Sequence, residues 1–130
     1  MVKAAAVACL SLVLALFSCR RETVYYYADI RGCIKDSFQG GVNNIIVDVH
    51  DYNPDNDMRG RFRGADTTET RDGAPGYYEM SQVCYGSNRG ILLIGVAVDS
   101  LKNPAYQTTR TLQPIASPVE TLPDVYIRRK

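Results

Sequence analysis

The stretch Asp29-Ile30-Arg31-Gly32-Cys33-Ile34-Lys35-Asp36 alternates strictly. Ile30, Gly32 and Ile34 fall on one face and Asp29, Arg31, Cys33 and Lys35 on the other, the period-2 pattern of a half-buried β-strand. Residues 37–44 then supply turn chemistry in Gly40-Gly41 and Asn43-Asn44. Alternation resumes in Ile45-Ile46-Val47-Asp48-Val49-His50-Asp51, with Ile45, Val47 and Val49 facing inward. Further on, Ile91-Leu92-Leu93-Ile94-Gly95-Val96-Ala97-Val98 is an unbroken apolar run of strand length. Such a run reads as a central strand buried on both faces.

Between these strands, residues 52–60 form a polar loop and residues 61–70 suit an exposed strand. Asp72-Gly73-Ala74-Pro75-Gly76 is a turn cluster leading into Tyr77-Tyr78-Glu79-Met80. Residues 107–113 and 124–128 read as edge strands, and the proline-containing residues 114–123 as a surface connection between them. No stretch after residue 18 keeps a helical period over three turns, and turns recur about every 8 to 15 residues, the spacing of a β-sandwich. The expected fold class is therefore all-β.

The first residues have a different character. Lys3 precedes an uninterrupted apolar or small-residue run over residues 4–17, the n-region and h-region of a secretory signal. The run is about 15 residues, short of the roughly 20 that span a bilayer as a helix. It ends in Leu16-Phe17-Ser18-Cys19, which resembles the bacterial lipobox, with Phe17 where a smaller residue is usual. That resemblance implies acylation of Cys19 and cleavage before it. Two or three acyl chains hold a soluble domain at a membrane stably where one does so only marginally. The expected organisation is a lipoprotein signal peptide at 1–18, a lipidated tether at 19–27 and a β-sandwich domain at 28–130. The expected address is the cell envelope, on a bacterial membrane and most simply the outer one, facing the periplasm or the surface.

Charge and cysteines fit export. The chain carries 15 Lys and Arg against 14 Asp and Glu, and loss of Lys3 with the signal leaves 14 of each. A neutral domain excludes the basic footprint of a nucleic-acid binder. With Cys9 in the signal and Cys19 acylated, Cys33 and Cys84 remain. In an oxidising compartment a disulfide is their simplest use, closing about 50 residues and contributing roughly 3 to 4 kcal/mol by the loop-entropy argument. Two separate buried thiols are the alternative, and a reactive pair a third. Neither CxxC nor HExxH occurs, so no metal site is expected on these residues.

Three elements in order resemble the carboxypeptidase regulatory-like domains. Ile30-Arg31-Gly32-Cys33-Ile34-Lys35-Asp36 is similar to that family's opening apolar-x-Gly-x-apolar-x-Asp strand. Residues 40–49 are similar to its turn and valine-rich strand, without the usual proline. Thr70-Arg71-Asp72-Gly73 with Gly76-Tyr77-Tyr78 is similar to its Thr-Asp-x-x-Gly-x-Tyr element, stretched by Ala74-Pro75. The resemblance covers roughly residues 28–100. It implies a seven-stranded Greek-key sandwich of the transthyretin (prealbumin) type, and a non-catalytic binding or scaffolding module with no cofactor.

Candidate sites are few. Asp51, Asn53, Asp55 and Asp57 have the alternate spacing that begins a calcium loop, but Asn56 stands where that loop needs Gly and Phe62 where it needs Glu, so a polar loop is the competing reading. Arg59, Arg61 and Arg63 alternate with Gly60, Phe62 and Gly64, and in an extended strand would put three guanidinium groups on one face toward an anionic glycan, lipid or protein. Edge-strand protection is the competing use. Tyr25, Tyr26 and Tyr27 with Tyr77 and Tyr78 could form a contact patch or pack. His50 is the single histidine, and no serine lies in a Gly-x-Ser-x-Gly context. The 5-hydroxyisourate hydrolases share the transthyretin fold, but their C-terminal Tyr-Arg-Gly-Ser is replaced here by Tyr126-Ile127-Arg128-Arg129-Lys130. A lipid-anchored envelope module with a protein or glycan partner is thus the first expectation. An accessory subunit of a membrane peptidase or export system is the alternative, and a periplasmic hydrolase using His50 and the Asp loop comes last.

Overall fold

The computed structural model describes residues 22–38, 40–51 and 61–130, with Arg61 by its backbone alone. Among them ten strands and no helix are found. In chain order these are β1 (Tyr25–Asp36), β2 (Gly40–Gly41), β3 (Ile46–Asp51), β4 (Arg61–Thr67), β5 (Glu69–Arg71), β6 (Ala74–Ser87), β7 (Gly90–Val98), β8 (Thr109–Pro114), β9 (Val119–Thr121) and β10 (Val125–Ile127). The all-β class holds, and the strand count is ten where seven are expected. Four of the ten, β2, β5, β9 and β10, are fragments of two or three residues.

The strands form one continuous sheet in the order β10-β1-β6-β7-β3-β4, with β2 and β9 on β1, β5 on β6, and β8 on β7. Pairing is antiparallel except where β9 and β10 run parallel to β1. The sheet folds back on itself like a sandwich: β4 touches β6 although β7 and β3 lie between them in the hydrogen-bonded order. The Glu79 amide of β6 donates to Asp66 Oδ2 of β4 at 2.8 Å. Thr68 makes the corner between β4 and β5. It is buried, its amide donates to Ile45 O, and its hydroxyl accepts from Ile45 N at 2.9 Å while donating to Val42 O at 2.7 Å.

The period-2 readings survive in the burial. Ala28, Ile30 and Ile34 of β1, Val47 and Val49 of β3, and Ile94, Val96 and Val98 of β7 enter one core with Tyr78, Val83, Val125 and Ile127. Residues 114–123 are not a mere surface connection, since they contain β9 and send Ile115 and Leu122 into that core. Within the stretch 19–27 expected as a tether, β1 begins at Tyr25, and Glu22 and Val24 are bonded to Asn88. Asp72 and Gly73, both with positive φ, form the tight turn between β5 and β6 that an Asp-Gly pair favours.

The three motif elements converge at one corner. Gly32 and Tyr78 are register partners, and the Tyr78 ring lies across Gly32, where a Cβ would stand 2.7 Å from the hydroxyl oxygen. Asn43 links the other two, its Oδ1 accepting from the Gly76 amide at 2.7 Å and its Nδ2 donating to Thr70 Oγ1 at 2.7 Å. These residues build the core and a turn junction, not an open site.

Candidate functional site: a trough on the outer sheet face

The outward side chains of β8, β7, β3 and β4 form two cross-strand rows. Register places Arg110, Ala97, Asp48 and Ala65 in one and Leu112, Gly95, His50 and Phe62 in the next. Gly95 and Ala97 are small, so the middle of the face sinks between flanks carrying Asp48 and His50 on one side and Arg110 and Leu112 on the other. The resulting trough has a volume of about 250 Å³. Three strands, β8, β7 and β3, at about 4.8 Å spacing make it roughly 10 Å across, the reach of about three extended residues.

Its polar groups are held from behind. Asp48 is buried and takes an ion pair from Lys102 Nζ at 2.8 Å. That ammonium also sits 4.8 Å from the centre of the Phe62 ring, which meets the His50 ring edge-on at 5.8 Å. Lys102 is positioned by the turn over residues 99–103, where the Leu101 amide donates to Asp99 Oδ1 and the Asn103 amide to Asp99 O. Buried Asn103 staples this turn to β3: its Oδ1 accepts from Ile46 N at 2.8 Å, and its Nδ2 donates to Ile46 O at 2.9 Å and Asp99 O at 3.1 Å. Thr111 Oγ1 donates to Val96 O at 3.3 Å. Arg110 and Leu112 remain exposed, the latter at 59%. The trough thus offers one open guanidinium fork and an apolar surface beside a fixed carboxylate.

The sequence-derived candidates distribute unevenly. His50 lies in the trough wall. Of the calcium quartet only Asp51 falls on described residues; Asn53, Asp55 and Asp57 lie outside them, as do Cys19 and Arg59. Among the described residues no group of three or more His, Cys, Asp or Glu is placed to hold a metal. Of the arginine row, Arg61 is described by its backbone alone, which leaves Arg63. Between the pairs Val49↔Gly64 and His50↔Phe62 the β4 strand carries one extra residue, Arg63, so Phe62 faces outward with His50 while Gly64 faces Met80 inside.

The expected disulfide is not formed. Cys33 and Cys84 are both free thiols. They lie on neighbouring strands, but Cys33 pairs with Tyr77 and Cys84 with Tyr27. Six positions along β1 separate the two pairings, about 20 Å of strand, where a disulfide needs Cα atoms within about 7 Å. Burial pushes the Cys84 thiol up in pKa, and its S–H donates to Gly86 O at 3.6 Å. The tyrosines separate as well. Tyr78 is in the core. Tyr77 lies on the other outer face, donating to Glu79 Oε2 at 2.9 Å beneath the Arg71 guanidinium, which pairs with Glu79 at 3.1 Å. Tyr25, Tyr26 and Tyr27 stand at the start of β1.

Lys102, Arg110 and Leu112 escaped the sequence reading, because nothing local ties them to His50. One signal was present: Gly95 and Ala97 interrupt an apolar run at alternate positions, which hollows one face of a strand. A second cavity, of about 400 Å³, lies beside Asp36, Phe38 and Ile127, where Arg129 Nε approaches buried Asp36 at 3.8 Å. No family model, no curated protein and no solved structure matches the chain.

Proposed function

We propose that this chain is an exported protein held in a bacterial cell envelope by lipid on Cys19. Its sandwich-like domain, of the carboxypeptidase regulatory-like and transthyretin-like kind, acts as a non-catalytic module that binds an envelope glycan or protein segment in the trough. The observation that carries the binding role is the trough itself, with its small-residue floor, exposed Leu112 and open Arg110 fork. The groups that a hydrolase would need there are committed elsewhere. Asp48 is held by Lys102, the His50 ring packs on Phe62, and the Thr111 hydroxyl is spent on a backbone carbonyl. What supports the family reading is the meeting of its three motif elements around Gly32, Tyr78 and Asn43. The Greek-key order of seven strands belongs to the same proposal, with β2, β5 and β9 as local additions.

Two measurements test it. Intact mass of membrane-fraction protein should equal residues 19–130 plus a diacylglyceryl and an acyl group, and Cys19→Ala should abolish both the mass increment and the membrane association. Amide shifts on titration with peptidoglycan fragments and with an anionic oligosaccharide should concentrate at Gly95, Ala97, Arg110 and Leu112. Shifts that persist unchanged in an Arg110→Glu, Leu112→Ser variant would retire the trough as the binding site.

A further inference from the structure

The start of β1 and the turn between β6 and β7 form one end of the domain. Asn88, in that turn, clamps the incoming chain with three hydrogen bonds. Its Oδ1 accepts from the Val24 amide at 3.0 Å, its own amide donates to Val24 O at 3.0 Å, and its Nδ2 donates to Glu22 O at 3.1 Å. Only Arg20 and Arg21 stand between Cys19 and the clamped Glu22. Three residues reach at most about 11 Å. An acyl group on Cys19 therefore leaves this end of the domain no room to stand away from a bilayer.

The side chains there suit that position. Tyr26, Gly86 and Leu92 are register partners across β1, β6 and β7. The Tyr26 and Tyr85 rings are 5.9 Å apart, both half-buried, at the open end of the sandwich. Around them Val24, Tyr27 and Leu92 are 53%, 49% and 51% exposed. Arg89 is exposed at the tip of the turn, and the sequence adds Arg20 and Arg21 next to the anchor. Tyrosine prefers the membrane–water boundary, where its ring is in apolar surroundings and its hydroxyl is wet, and guanidinium groups pair with lipid phosphates. Apolar tips ringed by tyrosine and arginine, on a tether of about 11 Å, match a bilayer surface better than a soluble partner.

We infer that this end of the domain is a membrane-contact surface, in which Val24, Tyr26, Tyr27 and Leu92 seat in the headgroup region of the bilayer that holds the Cys19 lipid. The inference rests on the anchor proposed above. It also orients the domain. β7 then runs away from the membrane, and the trough at Gly95 and Ala97 opens sideways roughly 10–17 Å above the seated Leu92, at about 3.3 Å per residue.

The chain contains no tryptophan, so one introduced residue reports alone. The test uses the full chain with its native lipid, recovered from membranes and reconstituted in phosphatidylethanolamine–phosphatidylglycerol vesicles with and without brominated acyl chains. Leu92→Trp probes the contact end, Val24→Trp repeats the measurement should the first variant fold poorly, and Leu101→Trp probes an exposed site beyond the far end of β7. The expected result is blue-shifted emission and a several-fold drop with brominated lipid for Leu92→Trp and Val24→Trp, and neither for Leu101→Trp. Equal, water-like emission at all three positions, with acylated Cys19 confirmed by mass, overturns the contact surface and leaves the anchor standing. Unmodified Cys19 with protein in the soluble fraction overturns both.

Discussion

Replacing Tyr78 by Phe should stabilise this domain, and the reason is local. The Tyr78 side chain is fully buried, and its hydroxyl has no hydrogen-bond partner among the described residues. A buried hydroxyl left unpaired forfeits its hydration for nothing, a penalty of about 1–3 kcal/mol. Part of that gain is lost to the small void the missing oxygen leaves, so we expect about 1 kcal/mol net, which for a domain of this size is a rise in Tm of about 4–8 °C. Gly32 supplies the companion test. A Cβ at position 32 would lie 2.7 Å from the Tyr78 oxygen and 2.9 Å from Cζ. Gly32→Ala should therefore cost about 1–3 kcal/mol as an overpacked contact. In the Tyr78→Phe background the nearest clash is gone and the Cζ contact stays, so the cost should shrink without vanishing, a coupling of at least about 0.5 kcal/mol in a double-mutant cycle.

The same hydroxyl sets a pH response. Burial is the first cause that pushes the Tyr78 phenol far above its ordinary 10.0, with the nearby Cys33 and Asp124 adding to it. A group whose pKa is raised by folding contributes stability that is complete below its unfolded value and lost as pH climbs through the folded one. The native protein should thus lose stability above about pH 10 more steeply than Tyr78→Phe does. Urea unfolding followed by circular dichroism at neutral and alkaline pH gives all these numbers. A Tyr78→Phe variant destabilised by more than about 1 kcal/mol, or a cycle with purely additive terms, would refute the argument by showing that the hydroxyl is satisfied and the ring does not lie on Gly32.

Three further outcomes follow from other contacts. Asn103→Ala should lower stability by about 2–3 kcal/mol, because it strands the amide and carbonyl of Ile46 at the β3 edge, measurable as a denaturant midpoint shift with unchanged slope. Lys102→Met should cost about 1–3 kcal/mol by leaving Asp48, whose side chain is 7% exposed, without its ion pair, and should be largely rescued by Asp48→Asn; a Lys102→Met midpoint equal to wild type would show the pair to be idle. Thiol titration of unfolded Cys19→Ala protein lacking residues 1–18 should return two free thiols, from Cys33 and Cys84, and reductant should leave its Tm in place; a single bridged species on a non-reducing peptide map would contradict the register of β1 against β6.

The periodicity of the chain was enough to read most of the sheet. Alternation at Ile30, Gly32 and Ile34, and again at Ile45, Val47 and Val49, assigns the inward face because pleat geometry is local; the run at 91–98, read as buried on both faces, is so only from Ile94 onward, and Leu92 is exposed. Which strands neighbour which was not local information. β9 and β10 pair with β1 in parallel from the other end of the chain, β9 within a stretch that reads as surface connection and β10 within one that reads as an edge strand, and only the finished core shows why Ile115 and Leu122 point inward. The bulge at Arg63 depends on the pairing partner β3 and not on β4 alone.

Composition and order along the chain determined by themselves the all-β class, the inward residues of β1 and β3 and the expectation of an acylated start at Cys19, since these rest on single segments read one at a time. The tertiary structure alone decided that Cys33 and Cys84 stand about 20 Å apart along one ladder, that His50 shares a trough with Arg110 and Leu112, and that Asn88 pins the chain beside Leu92. Those facts are register and hydrogen-bond partnerships between residues far apart in sequence. Side-chain period says which face a residue takes, and it carries no information about which residue waits across the gap.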